Sequence, residues 1–402
     1  MDKLPINIAL AQINPTVGAL SANADKILQH WRAAGDEIDL VVFPELALCG
    51  YPPEDLILKP FFIESVKRTI DELVKQSTSL NSGALVGCPW DIDGQIYNAV
   101  HLIEGGKIIT TIAKHHLPNY GVFDEQRIFA RGDLPTPVAF RGASLGIMIC
   151  EDMWFADVAA HLKSQGAEIL IVPNASPFET DKDDIRLQHA KDRAQETSLP
   201  LVYVNQVGGQ DELVFDGGSF VLNGDGAPIF SAPYFEEGLY TLASAAADAE
   251  DDTQRLYRAL VLGLKDYINK NNFGGVLIGL SGGIDSALSA VLAVDALGAD
   301  RVHCVMMPSQ YTSQDSLDDA QGLADNLGVR LDNISIEQPV AAFNNLLAPH
   351  FDANTPSTTF ENIQPRSRGL LLMALSNASG YMVLSTGTKS EMAGGYATLY
   401  GD

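Results

Sequence analysis

Positive charge is scarce in this chain of 402 residues: 26 Lys and Arg stand against 51 Asp and Glu, a formal net charge of −25. Such a surface repels a phosphate backbone and excludes broad nucleic-acid binding, while leaving room for a local anion site made of backbone N–H groups. Cysteine is scarce as well. Cys49, Cys88, Cys150 and Cys304 form no Cys-x-x-Cys pair, which excludes a thiolate metal site of the usual spacing. No apolar run reaches the ~18 residues of a membrane span. The N-terminal MDKLPINIALAQ lacks the apolar core of a signal peptide. The expectation is a soluble protein of the reducing cytoplasm with free thiols, and with neither a nucleic-acid nor a membrane partner. Disorder is excluded by the 46% of hydrophobic residues.

Short apolar runs alternate with longer amphipathic segments. Residues 6–11, 40–43, 84–86, 145–149, 169–172 and 201–204 read as buried strands, and helices are expected near 20–34, 60–77, 155–165 and 181–197. A more polar hairpin is expected over 96–112, turning at Gly105–Gly106. After Leu242 the small, acidic SAAADAEDDTQ reads as a linker, and the alternation then restarts. A helix is expected near 253–270, then strands at 275–280, 302–306, 331–335 and 382–385, with helices at 286–297, 314–328, 337–349 and 362–379. This is α/β architecture in two domains, 1–245 and 259–402, joined by a linker at 246–258; the second reads as an open doubly wound parallel sheet.

Three residues sit just past strands, where α/β folds place chemistry. Glu45 ends VVFPEL, Lys114 opens KHHLPNYGVFDE, and Cys150 ends LGIMIC. Together they have the makings of an activated nucleophile: the thiol attacks a carbonyl or nitrile carbon, the carboxylate shuttles the proton, and the ammonium steadies an oxyanion. Because Glu151 and Asp152 flank the thiol and raise its pKa, a nearby cation is needed to form thiolate. Taken singly, a strand-end Cys is more often a small buried hydrophobe, and a strand-end Lys or Glu is usually a solvated loop residue.

The order of FPEL, KHHLPNYGVFDE, CED and PNASPF, after an initial AQINPTVG, resembles the nitrilase (carbon–nitrogen hydrolase) superfamily from Ile6 to about Leu242. The resemblance implies an αββα sandwich and a catalytic Glu45–Lys114–Cys150 triad. It adds Glu125 as a second, orienting glutamate. Tyr120, Ser176 and Lys182 are its candidates for holding the substrate.

In the second half, VLIGLSGGIDSA places two glycines between a strand and a helix. Backbone N–H groups and a helix N-terminus there form a cradle for pyrophosphate, and Asp285 fits beside it only with Mg²⁺ between. The spacing matches neither of the common glycine-rich nucleotide loops. A tight strand–helix turn is the bland alternative.

SGGIDS resembles the ATP pyrophosphatase superfamily. MPSQYTS, NIQPRSR and STGTKSEMAGGYATLYGD narrow the resemblance to NAD synthetases, and both halves together resemble the glutamine-dependent NAD⁺ synthetase family. That resemblance implies ATP binding by Ser281, Gly282, Gly283, Asp285, Ser286, Gln310 and Thr388. It implies Mg²⁺ binding by Asp285 and Glu391, and deamido-NAD⁺ binding by Asn362, Arg366 and Asp402. The expected reaction hydrolyses glutamine and uses the ammonia, with ATP, to amidate deamido-NAD⁺. It gives NAD⁺, AMP, pyrophosphate and glutamate, in a homo-oligomer of at least two chains. Family chains continue well past Tyr400-Gly401-Asp402, so the second domain is expected to be truncated. Pro365 is expected in the first turn of its helix. The alternatives are another amidotransferase of the ATP pyrophosphatase type, or an inactive two-domain regulatory scaffold.

Overall fold

The computed structural model describes residues 4–180, 182–246, 250–352 and 354–395, with 182–184 described by backbone alone. It divides into two compact units, Met1–Ala259 and Leu260–Asp402. Helix Asp252–Lys270 begins before that division and ends after it, so helix already occupies 252–258 of the expected linker.

The first unit contains two six-stranded sheets. One runs in the order Gly238–Tyr240, Ile8–Gln12, Leu40–Val42, Gly83–Ile92, Gln95–Glu104 and Lys107–Ala113. The other runs Pro228–Ser231, Phe220–Leu222, Leu201–Asn205, Ile169–Asn174, Ala143–Ile147 and Val138–Phe140. Strand periodicity of two sorts their residues into separate layers. Ile8, Leu10, Leu40 and Val42 pack with Ile147, Ile169, Ile171 and Val202 between the sheets. The alternate residues Ala9, Ala11 and Val41 face Ile27, Trp31, Ile63 and Ile70 of helices Leu20–Ala33 and Pro60–Gln76. On the far side, Leu170, Val172 and Leu201 face Val158, Leu162, Ala190 and Ala194 of helices Ala156–Ser164 and Lys182–Thr197. The layers are therefore helix, sheet, sheet, helix. Runs such as ILIV are apolar at every position because both faces of these parallel strands are covered.

The second unit has one parallel sheet in the order Arg330–Asn333, Val302–Met306, Val276–Gly279 and Met382–Leu384. Val276, Ile278, Val302 and Cys304 pack on one side with Ala290 and Ala293 of helix Ile284–Leu297 and Ala320 and Ala324 of helix Gln314–Leu327. Leu277 and Val305 pack on the other, against Leu371, Leu372 and Leu375 of helix Ser357–Ser379. Covered on both faces, the sheet is doubly wound. Its strand order reverses between Val276–Gly279 and Met382–Leu384, where such sheets open a ligand crevice at their C-terminal edge.

Three local expectations need correction. The strand expected at 84–86 is ten residues long, Gly83–Ile92, and forms a hairpin with Gln95–Glu104. Its turn is Asp93–Gly94, with φ of 52° and 82°, the left-handed pair that a two-residue hairpin demands. The helix expected at 286–297 starts at Ile284, so Asp285 and Ser286 belong to its first turn. Helix Ser357–Ser379 starts five residues before its expected beginning, which places Pro365 in its interior and not its first turn. A proline there has no N–H to offer the carbonyl four residues earlier.

Candidate active site

The turn carrying Glu45 leaves strand Leu40–Val42 and lies directly on strand Gly83–Ile92. The contact requires glycine at position 87, where a Cβ would stand 2.5 Å from the Leu46 nitrogen. Lys114 follows edge strand Lys107–Ala113 of the same sheet. Cys150 and Ser176 come from the other sheet, after strands Ala143–Ile147 and Ile169–Asn174. The site therefore spans the two sheets.

Glu45, Lys114 and Glu125 form one buried cluster. Lys114 Nζ donates to Glu45 Oε1 at 2.6 Å and to Glu125 Oε1 at 2.9 Å. Glu45 also accepts from Asn98 Nδ2 at 2.7 Å and from the Ala175 amide at 3.1 Å. Glu125 accepts from the Tyr51 hydroxyl at 2.8 Å, and its Oε2 is buried with no hydrogen-bond partner among the described residues. Side chains that read singly as solvated loop residues are 0% exposed at Glu45 and Lys114. A buried ammonium persists only with partners of this kind.

The electrostatics follow from that burial. Burial works against the Lys114 ammonium, but Glu125, Glu45 and Cys150 together hold its pKa well above the usual value. Burial lifts Glu125 to about 7 against the pull of Lys114. Burial first, and Glu45 next, push the Cys150 thiol well above its ordinary range; Lys114 opposes them without prevailing. A thiol in these surroundings needs a base before it can attack. Its backbone is left-handed, with φ of +46°, where it opens the short helix Cys150–Trp154. Non-glycine residues held that way concentrate at functional sites.

Next to the thiol, Glu151 accepts from the Tyr120 hydroxyl at 3.0 Å and 3.1 Å. Ser176 follows Ala175, the residue whose amide bonds Glu45. Its own backbone is clamped by Asn205, which accepts from Ser176 N at 2.9 Å and donates to Ser176 O at 3.2 Å. Lys182 opens helix Lys182–Thr197, and its side chain lies outside the described residues.

Tyr51 and Asn98 are members of this neighbourhood that sequence reasoning did not assign a role, and it read Glu151 and Asp152 only as acidic neighbours that raise the Cys150 pKa. Asn98 carried a usable signal: an amide within the mostly apolar run IYNAVHLI, at a position that is fully buried. Tyr51 had none, since nothing near it in sequence hints at Glu125.

In the second unit, the loop after strand Val276–Gly279 folds on itself. Ser286 Oγ donates to Gly283 O at 3.0 Å and meets Ser281 Oγ at 3.0 Å, and Gly283 N donates to Ser281 Oγ at 3.2 Å. Gly282 has φ of +81°, and a Cβ there would stand 2.4 Å from the Ser316 carbonyl oxygen. Only glycine fits. Asp285 is exposed on the helix's first turn. Gln310 is exposed in the loop after strand Val302–Met306. Thr388 caps helix Lys389–Gly394 by accepting from Glu391 N at 3.2 Å, while Glu391 Oε2 accepts from Thr388 N at 2.7 Å. That is a capping box, and it leaves Glu391 Oε1 as the oxygen outside the cap. Asn362 and Arg366 lie four residues apart on one face of helix Ser357–Ser379. Asp402 lies outside the described residues.

Among the described residues, His115, His116 and Asp157 bring ligand-type atoms within 4.8 Å of one another. They are already committed elsewhere: His115 Nδ1 bonds the Gly132 carbonyl at 2.7 Å, its Nε2 meets the Arg131 guanidinium, and His116 Nε2 bonds Asp157 at 2.9 Å. With a guanidinium on one of the nitrogens, the group reads as a hydrogen-bond cluster and not as a cation site.

Comparison with known proteins supplies the family. Residues 7–253 match the carbon-nitrogen hydrolase family and residues 256–402 the NAD synthase family. The glutamine-dependent NAD(+) synthetase of Rhodobacter capsulatus is 49% identical across 98% of this chain and 74% of its own length. The chain belongs to the glutamine-dependent NAD(+) synthetase family. A second family member, from Xanthomonas campestris pv. campestris, is 44% identical across 99% of this chain and 74% of its own length. The solved structure of the family member from Acinetobacter baumannii, in complex with adenosine diphosphate, matches with a TM-score of 0.93 at 40% identity, over 98% of this chain and 77% of that one. Among the described residues, no helix is long and apolar enough to cross a membrane.

Proposed function

We propose that this chain synthesises NAD⁺ in two linked half-reactions. The first takes ammonia from glutamine, and the second uses it with ATP to amidate deamido-NAD⁺. The observation that carries the reading is the buried Glu45–Lys114–Glu125 cluster beside Cys150, in one chain with the Ser281–Ser286 loop.

In the glutaminase half, Glu45 takes the proton from the Cys150 thiol as sulfur bonds to the side-chain carbonyl carbon of glutamine. Lys114 Nζ stabilises the oxyanion. The tetrahedral intermediate expels ammonia, which leaves with the proton returned by Glu45, and water then hydrolyses the thioester to glutamate. Glu125 shares Lys114 with Glu45 and keeps the ammonium charged and fixed. Tyr120, Ser176 and Lys182 hold the rest of the glutamine.

In the synthetase half, Ser281, Gly282, Gly283, Asp285 and Ser286, with Gln310 and Thr388, hold ATP at the N-terminus of helix Ile284–Leu297, where backbone N–H groups face an anion. Asn362, Arg366 and Asp402 hold deamido-NAD⁺. The exposed Asp285 carboxylate and the uncapped Glu391 Oε1 suit a hard cation, so these two would hold Mg²⁺. Bound there, Mg²⁺ would offset the charge of the phosphates. Four buried free cysteines support a cytoplasmic setting, and the family resemblance supports a homo-oligomer of at least two chains.

The test is incubation with deamido-NAD⁺, Mg-ATP and either glutamine or ammonium, measuring NAD⁺, AMP and glutamate. Cys150→Ala should abolish use of glutamine and spare use of ammonium. A wild-type chain that releases no glutamate from glutamine refutes the first half. Equal loss with both nitrogen sources in Cys150→Ala refutes the division of roles.

A further inference from the structure

The mechanism leaves two buried carboxylates beside the nucleophile unused, Glu151 and Asp152, and the second of them bonds both strand ends. Asp152 is 1% exposed. Its Oδ1 accepts from the His115 amide at 3.1 Å and the His116 amide at 2.7 Å, and its Oδ2 accepts from the Ile149 amide at 2.9 Å. Its own amide donates back to Ile149 O at 3.0 Å. His115 and His116 directly follow Lys114, at the end of a strand of the first sheet. Ile149 directly precedes Cys150, beyond the end of a strand of the second. One side chain thus fastens the backbone that carries the oxyanion-stabilising ammonium to the backbone that carries the thiol.

We propose that Asp152 is a positioning residue of the glutaminase half-reaction, setting the separation of Lys114 and Cys150 across the two sheets and holding Cys150 in its left-handed turn. The proposal rests on the glutaminase reading above. All three of these hydrogen bonds go to backbone N–H groups, so Asp152 acts through its neighbours and not on the substrate. The chemistry demands a carboxylate. Three donors converge on two oxygens, and both must accept. An amide offers one acceptor and turns its own N–H₂ against a backbone N–H. A glutamate keeps both oxygens but is one methylene longer, and displaces one of the two strand ends. A displacement near 1 Å at reacting groups costs on the order of 10²-fold in rate.

The experiment measures glutamate release from glutamine by the full chain, with kcat and KM resolved, in wild type, Asp152→Asn and Asp152→Glu, below the onset of melting of each. The expected result for Asp152→Asn is a kcat lowered about 10²-fold with KM within about threefold, because the candidate glutamine-holding groups Tyr120 and Ser176 do not bond Asp152. If Asp152→Asn does not fold, Asp152→Glu, which keeps charge and acceptors, carries the test and should lower kcat at least about tenfold with KM again little changed. A folded variant whose kcat stays within about threefold of wild type overturns the proposal, as does a loss seen mainly in KM. Absence of glutamate release by wild type overturns the glutaminase reading first and this role with it. An active wild type with an unimpaired variant overturns only the role of Asp152.

Discussion

Replacing Glu45 with glutamine probes the centre of the buried cluster. Glu45 accepts three hydrogen bonds, from Lys114 Nζ at 2.6 Å, Asn98 Nδ2 at 2.7 Å and Ala175 N at 3.1 Å. Glutamine has one carbonyl oxygen, which suits the Lys114 and Asn98 side, so its amide nitrogen must face the Ala175 N–H. A buried donor left unpaired costs about 1–3 kcal/mol. At roughly 2–4 °C per kcal/mol for a unit of this size, Tm should fall by ~2–12 °C. The kinetic loss is larger. An amide cannot take the Cys150 proton, and burial still holds the thiol protonated in the variant, so removing the base should lower kcat for glutamate release about 10²–10⁴-fold. Glu125 should respond too: Glu45 is one of the charges holding it near 7, so its pKa should fall once Lys114 is its only charged neighbour in the cluster. The assay is glutamate release at saturating glutamine, beside NAD⁺ formation from ammonium, which should be unchanged. A variant within tenfold of the wild-type glutaminase rate would refute Glu45 as the base.

Three further perturbations test other parts of the molecule. Glu125 has its folded pKa raised to about 7 by burial, so the folded protein binds the extra proton more tightly than the unfolded chain. Stability relative to Glu125→Gln should therefore fall by roughly 3 kcal/mol as pH rises from about 4.5 to 7 and level off above about 8, followed by denaturant melts across that range; a flat difference would show that Glu125 is not perturbed. Arg186, 2% exposed, is paired with the fully buried Asp216, and Arg186→Met should cost about 3–5 kcal/mol by stranding that carboxylate, while Arg186→Met/Asp216→Leu should recover part of the loss; equal melting of the two variants would contradict this. Gly282→Ala forces a Cβ to 2.4 Å from the Ser316 carbonyl. Calorimetry should find ATP binding weakened at least about tenfold as the loop shifts, with glutamate release untouched, and unchanged binding would show that the loop does not hold the nucleotide.

Much of the fold was legible because burial leaves periodic traces. Runs such as ILIV and VHCVM marked strands covered on both faces, and the amphipathic stretches between them marked helices. The long hairpin was under-read because Trp90, Asp91 and Ile92 project past the sheet's core, where alternation fades and only Asp93–Gly94 signals the turn. Glu45, Lys114 and Cys150 stood out because each follows a strand within a recognisable motif. Tyr51 and Asn98 were given no role, and Asp152 none beyond its charge, because the partners that matter are far away in sequence: Tyr51 is 74 residues from Glu125, Asn98 is 53 from Glu45, and Asp152 is 37 from His115. A polar side chain's worth lies in what it bonds, and only folding discloses that. Thr388 and Glu391 carry a double meaning: the two residues form a helix cap, and the proposed Mg²⁺ ligand is the Glu391 oxygen left outside it.

On the proposed roles, two catalytic groups hang from one sheet and the nucleophile from the other, so the apolar filling between those sheets is in effect a spacer for the chemistry. Ile147, Ile171, Val42 and Leu85 are fully buried between the sheets, and their combined width sets how far the thiol stands from the ammonium. Close-packed interiors transmit a lost or added methylene to their surroundings. Rate in this unit is therefore tunable from its greasiest layer. Substitutions there that barely alter stability should still retune turnover, giving a lineage a way to adjust ammonia supply without touching a single polar residue.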